Sequence, residues 1–559
     1  MHNNFLVVLW LFLCCVANAQ EVHKGNTYAV IVGISKYQNS GIRELRFANR
    51  DAQMFAAYLQ SKAGGAVPQE HIRLLLDSTA TNAAVYDALS WLKDNAKPND
   101  LVYFYFSGHG DMETETIRKL GFLLTYNTPR TNYINNAIRV EDLNYYANTL
   151  SAQSKAKVIL ITDACHSGTL VTSDYRLRFL VGDQLRTATG NEIRITSCGP
   201  NELSVENEAW GGGRGVFSYY LINALTGYAD SDRNGMVTVK EARNYMDSAL
   251  AKDATLQQIK HKQTPALVGK DQSLLATVNW KEFEEKRTVP APIITKTGSP
   301  ILSTQQLMNY FFEQLTLNNP ETFFDYDRLN KTANDSIVWS VLAQAKNRYA
   351  NPLQRVDSSQ QEADDDPITG GETSIENIIL LEEKLRNSKS VSKQFRNRLL
   401  VYIDDLVQDV INEYLSGAEA ELERRRYYNS RNNSYDVYPK MLALALKLTD
   451  IENPLYKNLL VKKYYTQGVA YRLKIPLYRN SEWLIDSSLQ QQLQALKLEE
   501  NAAYINNDLG LLYQDKGNYK KAEEFYLKAT MISPMWALPW ANLIQLYTSV
   551  KQFDKAKEA

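Results

Sequence analysis

The sequence has no excess of charge and few cysteines. Its 62 Lys and Arg residues nearly balance 63 Asp and Glu residues, so nothing in the net charge of −1 indicates a nucleic-acid or membrane-surface partner. Cys14 and Cys15 lie in the first twenty residues, which leaves Cys165 and Cys198. Two cysteines in a secreted protein could form one disulfide. Alternatively, Cys165 is reactive and Cys198 packs as a small apolar residue.

The sequence also lacks a long hydrophobic run after its N-terminus, where a membrane-spanning helix would need ~20 apolar residues. An apolar run from Phe5 to Val16 is shorter than such a span and ends in Ala17-Asn18-Ala19. Small residues in this pattern are typical of a signal-peptidase site. We therefore predict a signal peptide over residues 1–19, cleaved after Ala19, and a secreted or periplasmic protein without a membrane span. A retained anchor is the alternative, because no Lys or Arg precedes the run.

The next part of the chain alternates between strand and helix patterns. Unbroken apolar runs such as 27–35 and 157–164 are typical of buried strands, and segments such as 43–62 and 81–96 carry apolar residues at helical spacing. Alternation of this kind indicates a mainly parallel sheet covered by helices on both faces. The sequence therefore predicts an α/β domain over residues 20–283.

A change in composition marks the end of this domain. Residues 284–302 contain three prolines and no periodicity, so this segment is predicted to be a linker. Residues 303–430 are predicted to be helical. A polar, acidic stretch near 355–374 interrupts them and is predicted to be an exposed, disordered loop.

The C-terminal segment, residues 431–559, contains a repeat. Tyr513 and Tyr547, and likewise Ala522 and Ala556, are separated by 34 residues, which is the period of a tetratricopeptide repeat. Such repeats stack into concave surfaces that bind other proteins. We therefore predict an all-α repeat region that binds a protein partner.

Two of the strand patterns end abruptly in glycine-flanked reactive residues. LVYFYF is followed by Ser107-Gly108-His109-Gly110, and KVILITDA is followed by Cys165-His166-Ser167-Gly168. Reactive groups of an open α/β sheet lie beyond the carboxyl ends of its strands, so we expect His109 and Cys165 to lie within reach of each other. The imidazole can take the thiol proton and later protonate a leaving amine. Backbone N–H groups of Gly110 and Cys165 would stabilise the oxyanion.

A purely structural interpretation is the alternative, because a lone buried cysteine usually packs and a lone histidine usually satisfies a hydrogen bond. It must explain both residues at glycine-flanked strand ends. His166 is a rival base, but neighbouring strand residues point to opposite faces, which disfavours it.

The paired motifs YFSGHG and DACHSG resemble those of the caspase superfamily of cysteine peptidases, most closely metacaspases and their bacterial relatives. His109 and Cys165 are 56 residues apart, and in caspases the separation is about 50. The resemblance covers roughly residues 25–275. It implies a caspase-like, mostly parallel sheet flanked by helices, with His109 as general base and acid, Cys165 as nucleophile, and no required cofactor.

The residues around these motifs predict a basic substrate. Asp163 lies two positions before Cys165, so its side chain leaves the strand on the same face, where a substrate cation could neutralise it. In metacaspases the acid at this position lines the specificity pocket. The resemblance also implies pocket roles for Asp51, in ANRDAQMF, and for Ser107. We therefore predict cleavage after Arg or Lys. A solvated helix-face charge is the alternative for Asp51.

A further motif, DSDRNGMVTVKE at residues 230–241, fits the consensus of a calcium-binding loop. Calcium prefers oxygen ligands. Four side chains and one carbonyl would supply them: Asp230, Asp232, Asn234, Glu241 and the carbonyl of Met236. A simple turn between two elements is an equally weighted alternative, so calcium remains a possible cofactor.

These observations favour an endopeptidase joined to a protein-binding repeat region. The competing hypothesis is a catalytically inactive scaffold that keeps the fold and acts by protein–protein interaction. A thiol redox role is a third possibility, but the sequence lacks the Cys-x-x-Cys arrangement that would motivate it.

Overall fold

The computed structural model describes most of the chain in separate ranges. The predicted signal peptide, the linker at 284–302 and the acidic stretch near 355–374 all lie outside these ranges, and so does Cys165. The described residues are 25–112, 120–130, 136–164, 185, 191–199, 202–281, 283, 393–426 and 434–559.

A six-stranded sheet forms the centre of the N-terminal domain. Its strands lie in the order β12-β8-β7-β3-β1-β2, and every neighbouring pair is parallel except β12 with β8. The bounds are β1 (Thr27–Gly33), β2 (Ile72–Leu76), β3 (Leu101–Ser107), β7 (Lys157–Asp163), β8 (Glu192–Thr196) and β12 (Ala266–Val268). The mostly parallel, caspase-like α/β fold is confirmed.

Helices cover both faces of this sheet because its central strands are apolar on both sides. Odd-numbered side chains such as Ile31 and Tyr105 belong to a buried cluster with one set of helices. Even-numbered side chains such as Val30 and Phe104 belong to a cluster on the opposite face. The helices of this domain are α1 (Ala48–Gln60), α2 (Asn82–Asn95), α3 (Val140–Asn148), α4 (Val216–Asn223), α5 (Val239–Lys252) and α6 (Ala254–Gln258).

Short antiparallel strands that the apolar pattern does not reveal surround the sheet. They form three small sheets, and each strand has only two to four residues. These strands are β4 (Gly110–Met112), β5 (Gly121–Leu124), β6 (Ala137–Arg139), β9 (Glu206–Asn207), β10 (Arg214–Gly215), β11 (Met236–Thr238) and β13 (Leu274–Thr277).

The C-terminal region is entirely helical over the residues that the structure describes, as predicted. Among these residues, no helix combines the length and the apolar character needed to cross a bilayer. The helices are α7 (Lys393–Ser416), α8 (Glu419–Arg426), α9 (Tyr438–Leu448), α10 (Pro454–Lys474), α11 (Glu482–Leu498), α12 (Ala503–Asp515), α13 (Tyr519–Ile532), α14 (Ala537–Ser549) and α15 (Phe553–Glu558).

The helical region packs directly on the face of the sheet covered by α2. Side chains of α2, α7 and α10 belong to one continuous buried cluster. Polar contacts mark its border, including Arg139 with Glu499 at 2.7 Å and Asn453 Nδ2 with Ser90 Oγ at 3.1 Å. The two regions therefore share a hydrophobic core.

Candidate active site

The ends of strands β3 and β7 define the candidate active site. Ser107 is the register partner of Asp163, and the Gly108 N–H donates to the Asp163 carbonyl at 3.1 Å. His109 and Cys165 each follow their strand's last residue by two positions. Cys165 itself lies outside the described residues.

One side-chain hydroxyl and two backbone groups hold His109 by hydrogen bonds. Its N–H donates to the Tyr37 hydroxyl at 2.8 Å, and its carbonyl accepts from the Leu124 N–H at 2.9 Å. The imidazole Nε2 lies 2.6 Å from the Arg43 carbonyl oxygen. Because a carbonyl can only accept, Nε2 must carry the proton, and in the neutral ring Nδ1 is then the basic nitrogen.

Gly110 lies against the residue that precedes Cys165. A Cβ at Gly110 would fall 2.7 Å from the Ala164 carbonyl oxygen, closer than real Cβ atoms approach. Only glycine therefore allows β4 to pass this close to the end of β7. The chain at Gly110, whose N–H is predicted to stabilise the oxyanion, thus passes beside Ala164, the residue that precedes the predicted nucleophile.

Asp51 and Asp163 both lie beside Gly215. A Cβ at Gly215 would be 2.8 Å from Asp51 Oδ2 and 3.2 Å from Asp163 Oδ2. The structure therefore brings together the two acids that the sequence predicts to share a pocket, although 112 positions separate them. Ser107, 3% exposed, is the register partner of Asp163, and directly paired residues project from the same face of a sheet.

The two carboxylates have different surroundings. Asp51 is paired with Arg214, whose Nε donates to Oδ1 at 2.6 Å, and it accepts the Gly215 N–H at 2.9 Å. Burial raises the pKa of Asp51 to about 6 although Arg214 lowers it. The sequence predicts that Asp51 faces a substrate cation, whereas here it faces an internal one.

Asp163 keeps one oxygen without a described partner. It is 1% exposed, and its Oδ1 makes no hydrogen bond within the described part of the chain. Burial raises the pKa of Asp163 to about 6, while hydrogen bonds from the Ser204 and Ser197 side chains oppose the rise. A buried carboxylate oxygen without a partner is costly and suits a cationic guest.

Sequence reasoning missed the hairpin that completes this cluster. Glu206 of β9 accepts the backbone N–H groups of Arg46 and Phe47 at 2.8 and 2.9 Å, just before α1 begins. Arg50 donates to the Gly212 carbonyl at 2.5 Å. The glycine run at 211–213, with positive φ at all three positions, was the sequence signal for this tight turn.

Cys198 is buried, as expected, but it does not pack as a free thiol. It is disulfide-bonded, and its partner lies outside the described residues. Of the two alternatives left open by the cysteine count, the structure therefore places Cys198 in a disulfide.

The predicted calcium loop forms a compact turn with converging carboxylates. Ligand oxygens of Asp230, Asp232 and Glu241 lie within 4.8 Å of one another. Gly235 has a φ of +83°, and its N–H donates to Asp230 Oδ2 at 2.9 Å. Glu241 lies in the first turn of α5 and also accepts hydrogen bonds from Thr238. Three carboxylates from one loop fit the oxygen-rich chemistry that calcium requires.

The other two predicted calcium ligands lie in the same turn. Asn234 accepts the Met236 N–H through its Oδ1 at 2.9 Å, and its own Nδ2 donates to Asp232. Met236 begins β11, which pairs with β13. The second half of the loop is therefore anchored, first by β11 and then by the first turn of α5.

Comparison with known proteins agrees with this architecture. Among curated proteins, Metacaspase-1A of Aspergillus oryzae is 28% identical over 168 residues, which cover 27% of this chain and 36% of that protein. Metacaspase-1 of Emericella nidulans is 24% identical over 257 residues, which cover 43% of this chain and 53% of that protein. The chain thus spans about a third to a half of the length of these relatives.

Among solved structures, the one described as "structure of pro-sf-caspase-1" is 14% identical, covers 46% of this chain and 93% of that chain, and has a TM-score of 0.30. Two family models match separate parts of the chain. One is described as a caspase domain and matches residues 26–274, and the other is described as a tetratricopeptide repeat and matches residues 503–534. Residues 26–274 are therefore similar to a caspase domain, and are called the caspase domain below, while residues 503–534 are similar to a tetratricopeptide repeat.

Proposed function

We propose that the protein is a cysteine endopeptidase that cleaves peptide bonds after Arg or Lys. The observation that carries this proposal is the register of β3 and β7. Because Ser107 pairs with Asp163, the two chains that continue to His109 and Cys165 leave the sheet side by side. A base and a nucleophile two positions beyond paired residues would be suitably placed for proton transfer, which supports the proposal.

In the proposed reaction, His109 Nδ1 takes the thiol proton of Cys165, and the thiolate attacks the carbonyl carbon of the substrate. The Arg43 carbonyl, which accepts from Nε2, stabilises the imidazolium that forms. The tetrahedral oxyanion is held by the backbone N–H groups of Gly110 and Cys165. His109 then gives the proton to the leaving amine, and water hydrolyses the acyl-enzyme with His109 again acting as base.

Asp163 is the acid that we assign to the substrate cation. Its Oδ1 is buried and has no described partner, whereas Asp51 already binds Arg214. Asp51 then acts as part of the pocket wall by fixing Arg214 and the Gly215 N–H. Ser107 is the neighbouring polar group on the same face of the sheet. A guanidinium or ammonium group would satisfy the remaining oxygen by a charge-assisted hydrogen bond.

The test uses fluorogenic peptides with Arg, Lys or Asp before the cleaved bond. With dithiothreitol present, we expect the wild type to cleave the Arg and Lys peptides, and Cys165→Ala to cleave neither. Asp163→Asn should lower kcat/KM for the basic peptides by roughly ten- to a hundredfold, because a hydrogen bond to a charged group is lost. Glu208→Gln is the matched control, since Glu208 is an exposed acid of the adjacent hairpin. Equal rates for Asp163→Asn and the wild type would contradict the assigned role of Asp163.

The competing function is an inactive scaffold. A thiol-reactive peptide probe that ends in arginine separates the two, because it labels Cys165 only where the thiol is activated and the pocket accepts a basic side chain. Absence of both labelling and hydrolysis in protein that has first been reduced would favour the scaffold.

We also propose that the loop at 230–241 binds calcium, with no step of hydrolysis assigned to the ion. Asp230, Asp232, Asn234, Glu241 and the Met236 carbonyl would hold it, and three of their carboxylates already converge. Calorimetric titration of the wild type should show one site that is lost in Asp230→Ala. Asp271→Asn, which alters an exposed acid outside the loop, should keep it. Heat of binding that is identical in all three proteins would contradict the proposal.

The remaining proposals concern location and partner. We propose that the mature protein begins after Ala19 and is secreted or periplasmic, which N-terminal sequencing of exported protein tests. The tetratricopeptide repeat indicates protein–protein interaction, so we propose that the helical region recruits a protein partner.

A further inference from the structure

The loop at residues 34–39, here called the Tyr37 loop, holds the backbone of His109. The Tyr37 hydroxyl accepts the His109 N–H at 2.8 Å, and the two rings stack with centroids 5.3 Å apart. Tyr37 is 7% exposed, and burial raises its pKa, so the hydroxyl stays protonated at ordinary pH. A displacement of the Tyr37 loop would therefore move the histidine.

One side of the Tyr37 loop is fixed within the caspase domain. Asp77 Oδ1 accepts the backbone N–H groups of Ser35 and Lys36 at 2.8 and 2.9 Å. Asp77 Oδ2 accepts Asn49 Nδ2 at 2.8 Å. Asp77 has a φ of +42°, a conformation that is strained for a residue with a side chain, so the surrounding contacts must hold it.

The other side of the Tyr37 loop is held by the helical region. Gln38, next to Tyr37, donates from Nε2 to Asp409 Oδ1 at 2.9 Å and accepts at Oε1 from Asn412 Nδ2 at 3.1 Å. Asn412 also donates to the Asn127 carbonyl at 2.9 Å. Asp409 and Asn412 are three residues apart in α7, so they project from the same face of the helix. Both ends of the Gln38 amide are therefore bonded to one element of the other region.

We propose that helix α7 positions the catalytic histidine through Gln38 and Tyr37, so that turnover by the caspase domain depends on the docked helical region. This inference rests on the proposed peptidase function. Gln38, Tyr37, Asp409 and Asn412 are positioning residues, since none of them touches the reacting atoms. The arrangement also gives a physical route by which binding of a partner to the helical region changes catalysis.

The hydrogen bonds between Gln38 and α7 should affect the rate of catalysis more than the stability of the protein. Proton transfer needs the imidazole within hydrogen-bond reach of the thiol, and a misplacement of about 1 Å can cost about a hundredfold in rate. Gln38 is exposed and its hydrogen bonds are partly solvated, so their loss should change the free energy of unfolding little. A fall in kcat without a change in the free energy of unfolding would therefore indicate that His109 has lost its position and not that the protein has lost its fold.

The experiment removes the contact from each side in the full-length protein. Gln38→Ala removes it from the loop, and the double variant Asp409→Ala/Asn412→Ala removes it from the helix. Ser90→Ala is the matched control, because it removes the contact of Asn453 across the same interface but lies on α2, away from the Tyr37 loop. Thermal unfolding of each variant checks that the fold is kept.

We expect kcat on an arginine peptide to fall roughly tenfold in Gln38→Ala and in the helix variant, with KM changed less than about twofold. Adding Gln38→Ala to the helix variant should cause no further loss, since the helix variant already removes both hydrogen bonds of Gln38. Ser90→Ala should keep the wild-type kcat. Wild-type kcat in Gln38→Ala and in the helix variant would overturn the inference while leaving the proposed function intact.

A second readout does not depend on peptide cleavage. The rate of alkylation of Cys165 by iodoacetamide, measured against pH under reducing conditions with Cys165→Ala as background, reports how well His109 stabilises the thiolate. We expect the midpoint of this profile to move to higher pH in both variants and not in Ser90→Ala. If the wild type cleaves no peptide, this profile still decides the coupling, and unchanged midpoints would overturn it.

Discussion

At the scale of single residues, backbone carbonyl groups fix the tautomer of His109 and the path of the chain that leads to it. The Arg43 carbonyl selects the protonated ring nitrogen, and the Asp163 carbonyl holds the chain just before the histidine. Both contacts involve backbone carbonyls and do not depend on the identity of a side chain, so no sequence motif predicts them. The side-chain motif nevertheless predicts the position of His109 beyond β3, because that position follows from where the apolar strand ends.

A prediction at this scale concerns Cys198, which is disulfide-bonded. Cys14 and Cys15 belong to the predicted signal peptide, which leaves Cys165 as the partner that we expect within the mature chain. A nucleophile in a disulfide cannot attack, so we expect oxidised protein to be inactive. A dithiol such as dithiothreitol would supply two electrons and two protons, forming the Cys165 and Cys198 thiols and a cyclic disulfide of the reductant.

The measurement is hydrolysis of an arginine peptide with and without dithiothreitol. Wild-type activity should rise at least tenfold on reduction, since only the free thiolate reacts. Cys198→Ala should be active without reductant, although loss of the burial of Cys198 lowers its stability somewhat. Equal dependence of both proteins on reductant would contradict the expected pairing.

At the scale of elements, the long apolar strands were predictable and the short ones were not. The patterns at 27–35 and 157–164 correspond to β1 and β7, because consecutive apolar residues such as those of 28–32 and 158–161 are typical of strands that are buried on both faces of a sheet. The hairpin of β9 and β10 has two residues in each strand. It is held by hydrogen bonds from the Phe47 N–H to Glu206 and from Arg50 to the Gly212 carbonyl, which join residues 159 and 162 positions apart. Such contacts between distant polar residues leave no periodicity to read.

The two buried acids, Asp51 and Asp163, were likewise predictable only in part. Alternation along β7 predicted the face on which Asp163 lies, and the resemblance to metacaspases indicated Asp51. The internal cation Arg214 was not predicted, because its contact with Asp51 joins residues 163 positions apart. Local pattern therefore predicts which strand end carries the site, whereas the pairing of charges within the site requires the fold.

The tetratricopeptide helices provide a prediction at the scale of elements. Gly510 of α12 faces the Tyr526 ring of α13, and a Cβ at Gly510 would lie 2.4 Å from two atoms of that ring. Gly510→Ala should destabilise the helix pair, because overpacking costs about 1–3 kcal/mol and exceeds the ~1 kcal/mol gained in helix propensity. Hydrogen exchange of α12 and α13 should become faster.

Lys520→Ala is the control for this change, because Lys520 is an exposed residue of the same repeat. It should leave the exchange of both helices as in the wild type. Slower exchange in Gly510→Ala than in the wild type would show that the Tyr526 ring yields to the added methyl group.

At the scale of the whole molecule, the caspase domain and the helical region behave as one folded body. Thr81, the N-cap of α2, donates from Oγ1 to Asp405 of α7 at 2.9 Å, and Asn127 donates to the same carboxylate at 3.2 Å. The composition change at 284–302 predicts a boundary in the sequence, but amphipathic helices beyond it still need an apolar surface to cover. The face of the sheet behind α2 supplies that surface.

The contact at Asp405 makes the stability of this interface depend on pH. Burial raises the pKa of Asp405 from 3.8 to about 8; nearby Asp404 and Asp409 raise it too, whereas the Thr81 hydrogen bond and Lys462 lower it. The folded protein therefore binds one proton more than the unfolded chain between the two values. Stability must then fall as pH rises from about 4 to about 8 and lose this dependence above that range.

Asp405→Asn keeps the shape of the side chain and removes its titration. We therefore expect the variant to be more stable than the wild type at about pH 9, and the difference in stability to be smaller at about pH 6. Thermal unfolding midpoints of both proteins across this range measure the difference. Asp271→Asn alters an exposed ion pair with Arg243, so its unfolding midpoint should change with pH as that of the wild type does. If the midpoint of Asp405→Asn also changes with pH as that of the wild type does, the Asp405 carboxyl is ionised in the folded protein over this whole pH range. The docked helix α7 then carries a negative charge at this contact.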